Sequence, residues 1–195
     1  RLEADRHCEE RCDEAISSRQ EHRDCFAALA MTSEPSPSAA QPATADLEAR
    51  RAARRYPDRP IIAVLAVVLR GERALIVQRA QQPNAGRWGF PGGVLELGET
   101  VGDGAMRELL EETGIVAEPA GVLNVHDAIS RDEEGRVQFH YILIAVRGIW
   151  RSGDGVAADD AAACAWATRA EIEAGRYPTF PTLLPLLDLA RAQQG

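Results

Sequence analysis

Lysine is absent from this chain: all 22 basic residues are arginine, set against 30 acidic residues. The formal charge of -8 excludes a non-specific nucleic-acid coat, which needs a net positive field. Aromatic residues reach only 5%, and the basic cluster Arg50, Arg51, Arg54 and Arg55 has no aromatic platform on which single-stranded bases could stack. Long hydrophobic runs are missing as well. The longest, from Ile61 to Leu69, falls far short of the roughly 20 residues that cross a bilayer. It follows basic residues, as a signal peptide does, but lies deep in the chain and lacks a small-residue cleavage pattern after it. A buried strand is the better reading. Neither nucleic acid nor membrane is an expected partner, and the default location is the cytoplasm.

What is present is unevenly distributed. Cys8, Cys12 and Cys25 sit near His7 and His22, a loose match to zinc-finger spacing, while Cys164 among alanines reads as a small core residue. Residues 1–30 show no apolar periodicity and are expected to be a non-native or disordered extension. Their RHCEERCDEAISS and DCFAALAMT stretches resemble the translation of an interspersed repeat of some bacterial genomes, which would make Met31 the start. Residues 31–58 read as a flexible Pro/Ser/Ala linker with a short basic helix over 46–55. The folded domain is expected over 59–195.

Within that domain, apolar segments separated by turns predict strands over Ile61–Leu69, Arg73–Arg79, Val94–Leu97, Val116–Val125, Val137–Val146 and Ala163–Ala167. In the fifth of these, Val137, Phe139, Tyr141 and Leu143 alternate onto one face. A helix is predicted over Val101–Thr113, with Thr100 as its N-cap and Gly114 as its stop. Thr168 and Glu171 form a capping-box pattern, and Thr182–Ala192 reads as a helix with Pro185 in its first turn.

The chemistry-bearing stretch runs from Gly92 to Ile115. On a helix turning about 100° per residue, Glu111 and Glu112 lie about -60° and +40° from Glu108, so three carboxylates share one arc. Met106, Leu109, Leu110 and Thr113 fall on the opposite side, as an anchor to the core. Carboxylates so spaced repel one another, and a hard divalent cation, Mg²⁺ or Mn²⁺, would relieve the repulsion and bridge to phosphate oxygens. A solvated acidic face is the plain alternative. Arg107 and Glu99 tilt the balance, since an Arg–Glu pair could brace the turn and orient metal ligands.

Every specified position of this stretch matches G-x5-E-x7-R-E-U-x-E-E-x-G-U, and the chain thereby resembles the Nudix hydrolase family, particularly ADP-ribose pyrophosphatases and MutT-like bacterial members. The resemblance implies a mixed α/β (α+β) class: an α/β/α sandwich around a mixed sheet, with a loop-helix-loop catalytic motif. It implies Glu108 and Glu112 as principal metal ligands, Glu111 as an additional one, Glu99 as the partner of Arg107 or of a further metal, and the Gly92 carbonyl as a further ligand. Gly93 and Gly114 would supply backbone geometry. Trp88 and Phe90 could stack on a base, although loop packing is favoured, and Glu96 lies near the metals or on an exposed strand.

The implied reaction is water attack on a phosphoanhydride of a nucleoside diphosphate linked to another moiety. For positioning the water, Asp159 or Asp160, in the loop after Trp150, competes with Glu111. The substrate is less determined. A proline typical of one ADP-ribose group is replaced by Ser130 and Arg131, and the signatures of dinucleoside polyphosphate, NADH and coenzyme A hydrolases are missing. ADP-ribose or a similar nucleotide sugar is the lean, with (d)NTP pyrophosphatase activity or a silent nucleotide-binding regulator as alternatives. Arg131, His126 and His140 are candidate substrate contacts, with ordinary strand positions the safer assignment. A homodimer is left open.

Overall fold

The computed structural model describes residues 53–82 and 84–193. The N-terminal extension, most of the linker and basic helix, and the cysteine–histidine group of the first 25 residues lie outside the described residues. Seven strands and three helices follow in the order β1 (Ile61–Arg70), β2 (Arg73–Arg79), β3 (Trp88–Gly89), β4 (Gly92–Val94), α1 (Val101–Thr113), β5 (Val116–Arg131), β6 (Val137–Ser152), β7 (Ala161–Thr168), α2 (Arg169–Glu173) and α3 (Leu183–Ala192). No helix among the described residues is long and apolar enough to cross a membrane.

The strands form one mixed sheet in the order β3-β2-β1-β6-β5, with β4 also on β1 and β7 on β2. β1 and β6 run parallel and the other pairs antiparallel. β1 is buried on both faces, which is why it reads as a continuous apolar run rather than an alternating one. Val64, Ala66 and Val68 pack with Ala105 and Leu109 of α1, whereas Val67 packs with Leu183, Leu186 and Leu187 of α3. Two helical layers therefore sandwich the sheet, as the resemblance implied. Burying each such aliphatic side chain contributes about 1.5–3 kcal/mol.

β5, β6 and β7 run beyond their expected limits, β6 to Ser152 and β7 from Ala161 to Thr168. β5 continues through Pro119 and Gly121 to Arg131 with several register shifts. Proline is tolerated because β5 is the sheet edge, where one side of the strand has no ladder to feed. β4 is displaced in the other direction. It pairs through Gly92, Gly93 and Val94, the Leu95 N–H still donates to the Ile62 carbonyl at 3.1 Å, and residues 96 and 97 leave the sheet, correcting the expected Val94–Leu97 strand. The reason is steric: a Cβ on Gly92 would lie 2.1 Å from the Val64 carbonyl, so this close pairing needs glycine.

Candidate active site

α1 begins and ends as its flanking residues dictate. Thr100 is extended, and its hydroxyl accepts the Asp103 N–H at 3.1 Å. Gly114 adopts the left-handed conformation (φ 66°), and its N–H donates to the Leu110 carbonyl. The helix is rolled relative to the sequence expectation, however. Its buried residues are Gly104, Ala105, Leu109, Glu112 and Thr113, while Leu110 is 51% exposed. On the helical wheel the buried arc thus centres near Ala105, at about 60° from Glu108, instead of about 150°. The roll takes Leu110 out of the core and carries Glu112 into it, only 8% exposed.

That roll presses the acidic edge of α1 onto β4. A Cβ on Gly93 would lie 2.3 Å from Glu108 Oε1, so the glycine is required by close approach rather than by a special dihedral angle. Gly92 meets the second glutamate through its N–H, which donates to Glu112 Oε2 at 3.1 Å. Arg107 braces the preceding turn. Its Nε and Nη2 donate to the two oxygens of Glu99 at 2.6 and 3.1 Å, and Nη2 also reaches the Val94 carbonyl at 3.3 Å. Its Nη1 lies between Glu108 Oε1 (2.9 Å) and Glu111 Oε2 (3.1 Å). One guanidinium thus ties β4, the 95–100 turn and α1 together, as a bidentate donor can.

The electrostatics divide these carboxylates. Hydrogen bonding from Arg107 holds Glu99 below the usual carboxylate range, and Glu99 in turn holds Arg107 charged. Burial raises Glu108 despite its contact with Arg107. Burial pushes Glu112 up to about 8, with the Gly92 N–H opposing and the Glu108 and Asp160 charges reinforcing the shift. Only Arg79, at the end of β2, supplies a compensating positive charge to Glu112 among the causes of that shift.

Among the described residues, no group of three or more His, Cys, Asp or Glu side chains is arranged to hold a metal. Arg107 Nη1 bridges Glu108 and Glu111, while Glu112 accepts from the Gly92 N–H. The donor chemistry nevertheless fits a hard cation. A half-buried and a buried carboxylate whose charged forms are disfavoured, with further carboxylates near them, form an oxygen-only set short of positive charge.

The structure brings Asp159 and Asp160 into this environment, where their charges bear on Glu108 and Glu112 respectively. Glu96 is exposed in the turn, and its N–H donates to Glu99 Oε2. Trp88 sits edge-on to Tyr177 at 4.9 Å, half-buried against the α3 core. Phe90 is 7% exposed and packs within that core. Arg131 is not brought to the glutamates. It caps the Gly135 carbonyl in the β5–β6 turn opposite Val137, whereas Gly93 sits opposite Val64 and, across β1, Ile144. Those seven residues along β6 amount to about 23 Å. His140 lies 3.7 Å from Asp127, and His126 Nδ1 is buried without a protein partner. Arg79 and Tyr177 were not anticipated. Each ends or follows an element without any motif of its own, and only the tertiary pairing reveals its neighbours.

Comparison with known proteins agrees with this geometry. The family model of the NUDIX domain matches residues 59–187. An ADP-ribose pyrophosphatase from Methanocaldococcus jannaschii is 33% identical over 96 residues, covering 49% of this chain and 57% of that protein. The oxidized purine nucleoside triphosphate hydrolase of Mus musculus is 47% identical over 51 residues, covering 26% and 33% respectively. The chain thus spans about half of the first relative's length and a third of the second's. A solved MutT NUDIX hydrolase from Burkholderia pseudomallei superposes with a TM-score of 0.59 at 27% identity, covering 68% of this chain and 98% of that one. A complete glycine-to-isoleucine box, a mixed sheet held between helices and a family match across about two thirds of its length place this chain in the Nudix family.

Proposed function

We propose that this protein is a divalent-metal-dependent hydrolase that cleaves a phosphoanhydride bond in a nucleoside diphosphate linked to a second moiety. The observation that carries the reading is the half-buried Glu108 and the buried Glu112, pressed against β4 at Gly93 and Gly92. Burying carboxylates in this way costs free energy, and a cation shared with a pyrophosphate offsets that cost. Glu108 and Glu112 would hold Mg²⁺ or Mn²⁺, with Glu111, Glu99 or the Gly92 carbonyl as further ligands. When bound, the metal polarises phosphoryl oxygens and lowers the pKa of water. Arg107 orients Glu108 and Glu111, and Asp159, Asp160 or Glu111 positions the attacking water.

ADP-ribose or a similar nucleotide sugar is the favoured substrate, supported by the similarity to the M. jannaschii pyrophosphatase over about half of each chain. A second reading, nucleoside triphosphate hydrolysis, is favoured by the shorter but closer similarity to the murine enzyme. A phosphate-release screen of nucleoside diphosphate sugars, dinucleotides and (d)NTPs with Mg²⁺ or Mn²⁺ separates the two. Tight nucleotide binding with no turnover of any compound would instead make the protein a regulator.

A further inference from the structure

Between β6 and β7, residues 153–160 carry no regular secondary structure, yet they are tied down at both ends. At the near end, the Trp150 indole N–H donates to the Gly153 carbonyl at 3.0 Å and the Trp166 indole N–H to the Asp154 carbonyl at 2.8 Å. In the middle, the Val156 and Ala158 N–H groups donate to the Thr113 and Glu112 carbonyls, both at 2.9 Å. These are the last carbonyls of α1, which have no partner within the helix. At the far end, the Ala80 N–H donates to the Asp160 carbonyl at 3.1 Å, and the Gln81 amide to the Asp160 carboxylate at 3.1 Å. Asp159 occupies the left-handed region at φ 50°, which favours glycine. Aspartate is among the few other residues that adopt this region readily, and here it sits in the turn closed by the Ala161 N–H on the Ala158 carbonyl at 3.1 Å.

The near end is closed by Arg70. It is the last residue of β1, at the opposite end from the Ile61 start, and its guanidinium lies 4.6 Å from the Trp150 ring centre. Its Nη1 donates to Asp154 Oδ1 at 3.0 Å. This one side chain thus joins the tip of the β1–β2 hairpin, the β6 indole and the start of the segment. An exposed ion pair of this kind adds little to global stability. Its consequence is local, because the bonds to Thr113 and Glu112 only hold register if the segment leaves β6 along the right path.

We propose that Arg70 is a positioning residue: through Trp150 and Asp154 it latches residues 153–160 as a strap that sets the Asp159 and Asp160 carboxylates beside the Glu108 and Glu112 edge of α1. The inference rests on the hydrolase reading above and adds a residue outside the glutamate motif to the machinery. Small displacements of positioned groups are costly to rate and not to substrate affinity. R70A is therefore expected to lower kcat about tenfold with KM within about twofold, and R70K to recover part of the loss through the retained charge.

Two readouts isolate the latch from a general structural role. First, R70A added to the D159N/D160N pair should cost nothing further, because the strap then has no carboxylates to position. A multiplicative loss would overturn the proposal. Second, amide hydrogen exchange at Val156 and Ala158 should quicken about tenfold in R70A, with α1 core amides and the melting temperature unmoved. Unchanged protection at those two amides would overturn the latch whether or not the protein hydrolyses anything. Absence of turnover in the unaltered chain, with the exchange result as expected, would sink the hydrolase reading and leave the latch standing.

Discussion

Glu99 and Glu112 belong to one motif and flank one arginine, yet their surroundings drive them in opposite directions. Glu99 receives two hydrogen bonds from Arg107 and is held below the usual carboxylate range. Glu112 is more deeply buried, accepts from the Gly92 backbone N–H, and is pushed up to about 8. The first is an acid whose charge Arg107 satisfies within the protein. The second is an acid whose charge the protein leaves unbalanced. The contrast teaches that the count of glutamates on a helix says less than which of them the fold supplies with a donor.

The strongest way to break this contrast is E112Q. Turnover in saturating Mg²⁺ should fall on the order of a hundredfold or more, whereas a drop under twofold would show Glu112 to be a bystander. The same variant should be more stable than the parent at pH 8 without metal, because a neutral amide removes the buried charge. Next in size is the brace. R107A leaves Glu99 and Glu108 without their donor and should destabilise the fold by roughly 2–4 kcal/mol in denaturant titration. R107K should restore little, since an ammonium cannot span both Glu99 oxygens.

The pH dependence sharpens the comparison further. Between about 4.5 and about 8 the native Glu112 keeps a proton that the unfolded chain has released, so the native state binds more protons. Its contribution is full below the unfolded value and lost as pH rises through about 8. In EDTA the protein should lose on the order of 4 kcal/mol across that window, and E112Q should flatten the slope. Glu99 acts with the opposite sign: its contribution is present above the ordinary carboxylate value and lost as pH falls through its lowered one. An EDTA stability curve with no decline from pH 5 to 8 would mean that Glu112 is not desolvated. The smallest effect tests the roll of α1. L110A should change stability by no more than about 0.5 kcal/mol, whereas L109A should cost about 2–5 kcal/mol. Equal costs would restore the orientation expected from the helical wheel.

Much of this architecture was legible without coordinates, and the particular residues show why. Thr100 and Gly114 bound α1 because a hydroxyl cap and a left-handed glycine are local chemistry. β1 and β2 end within a residue of their expected limits, because arginine, glycine and glutamate interrupt the apolar runs there. Local chemistry does not extend to the roll of α1. A helical wheel ranks faces by hydrophobicity, but the glycine pair of β4 admits the helix so closely that Glu112 is buried and Leu110 is left outside. Nor could Phe90 be separated from Trp88, since both precede the same glycine motif and only packing sends one ring to the core and the other against Tyr177.

By itself, then, the order of residues determined the elements, the family and the identity of the acids, since each depends on neighbours within a few positions along the chain. Tertiary structure alone decided which acids are satisfied, that Arg131 caps a turn about 23 Å along β6 from the glutamates, and that Arg70 meets Asp154 across 84 positions. Burial and charge pairing depend on distances in space, and those exist only once β1, β6 and α1 have packed.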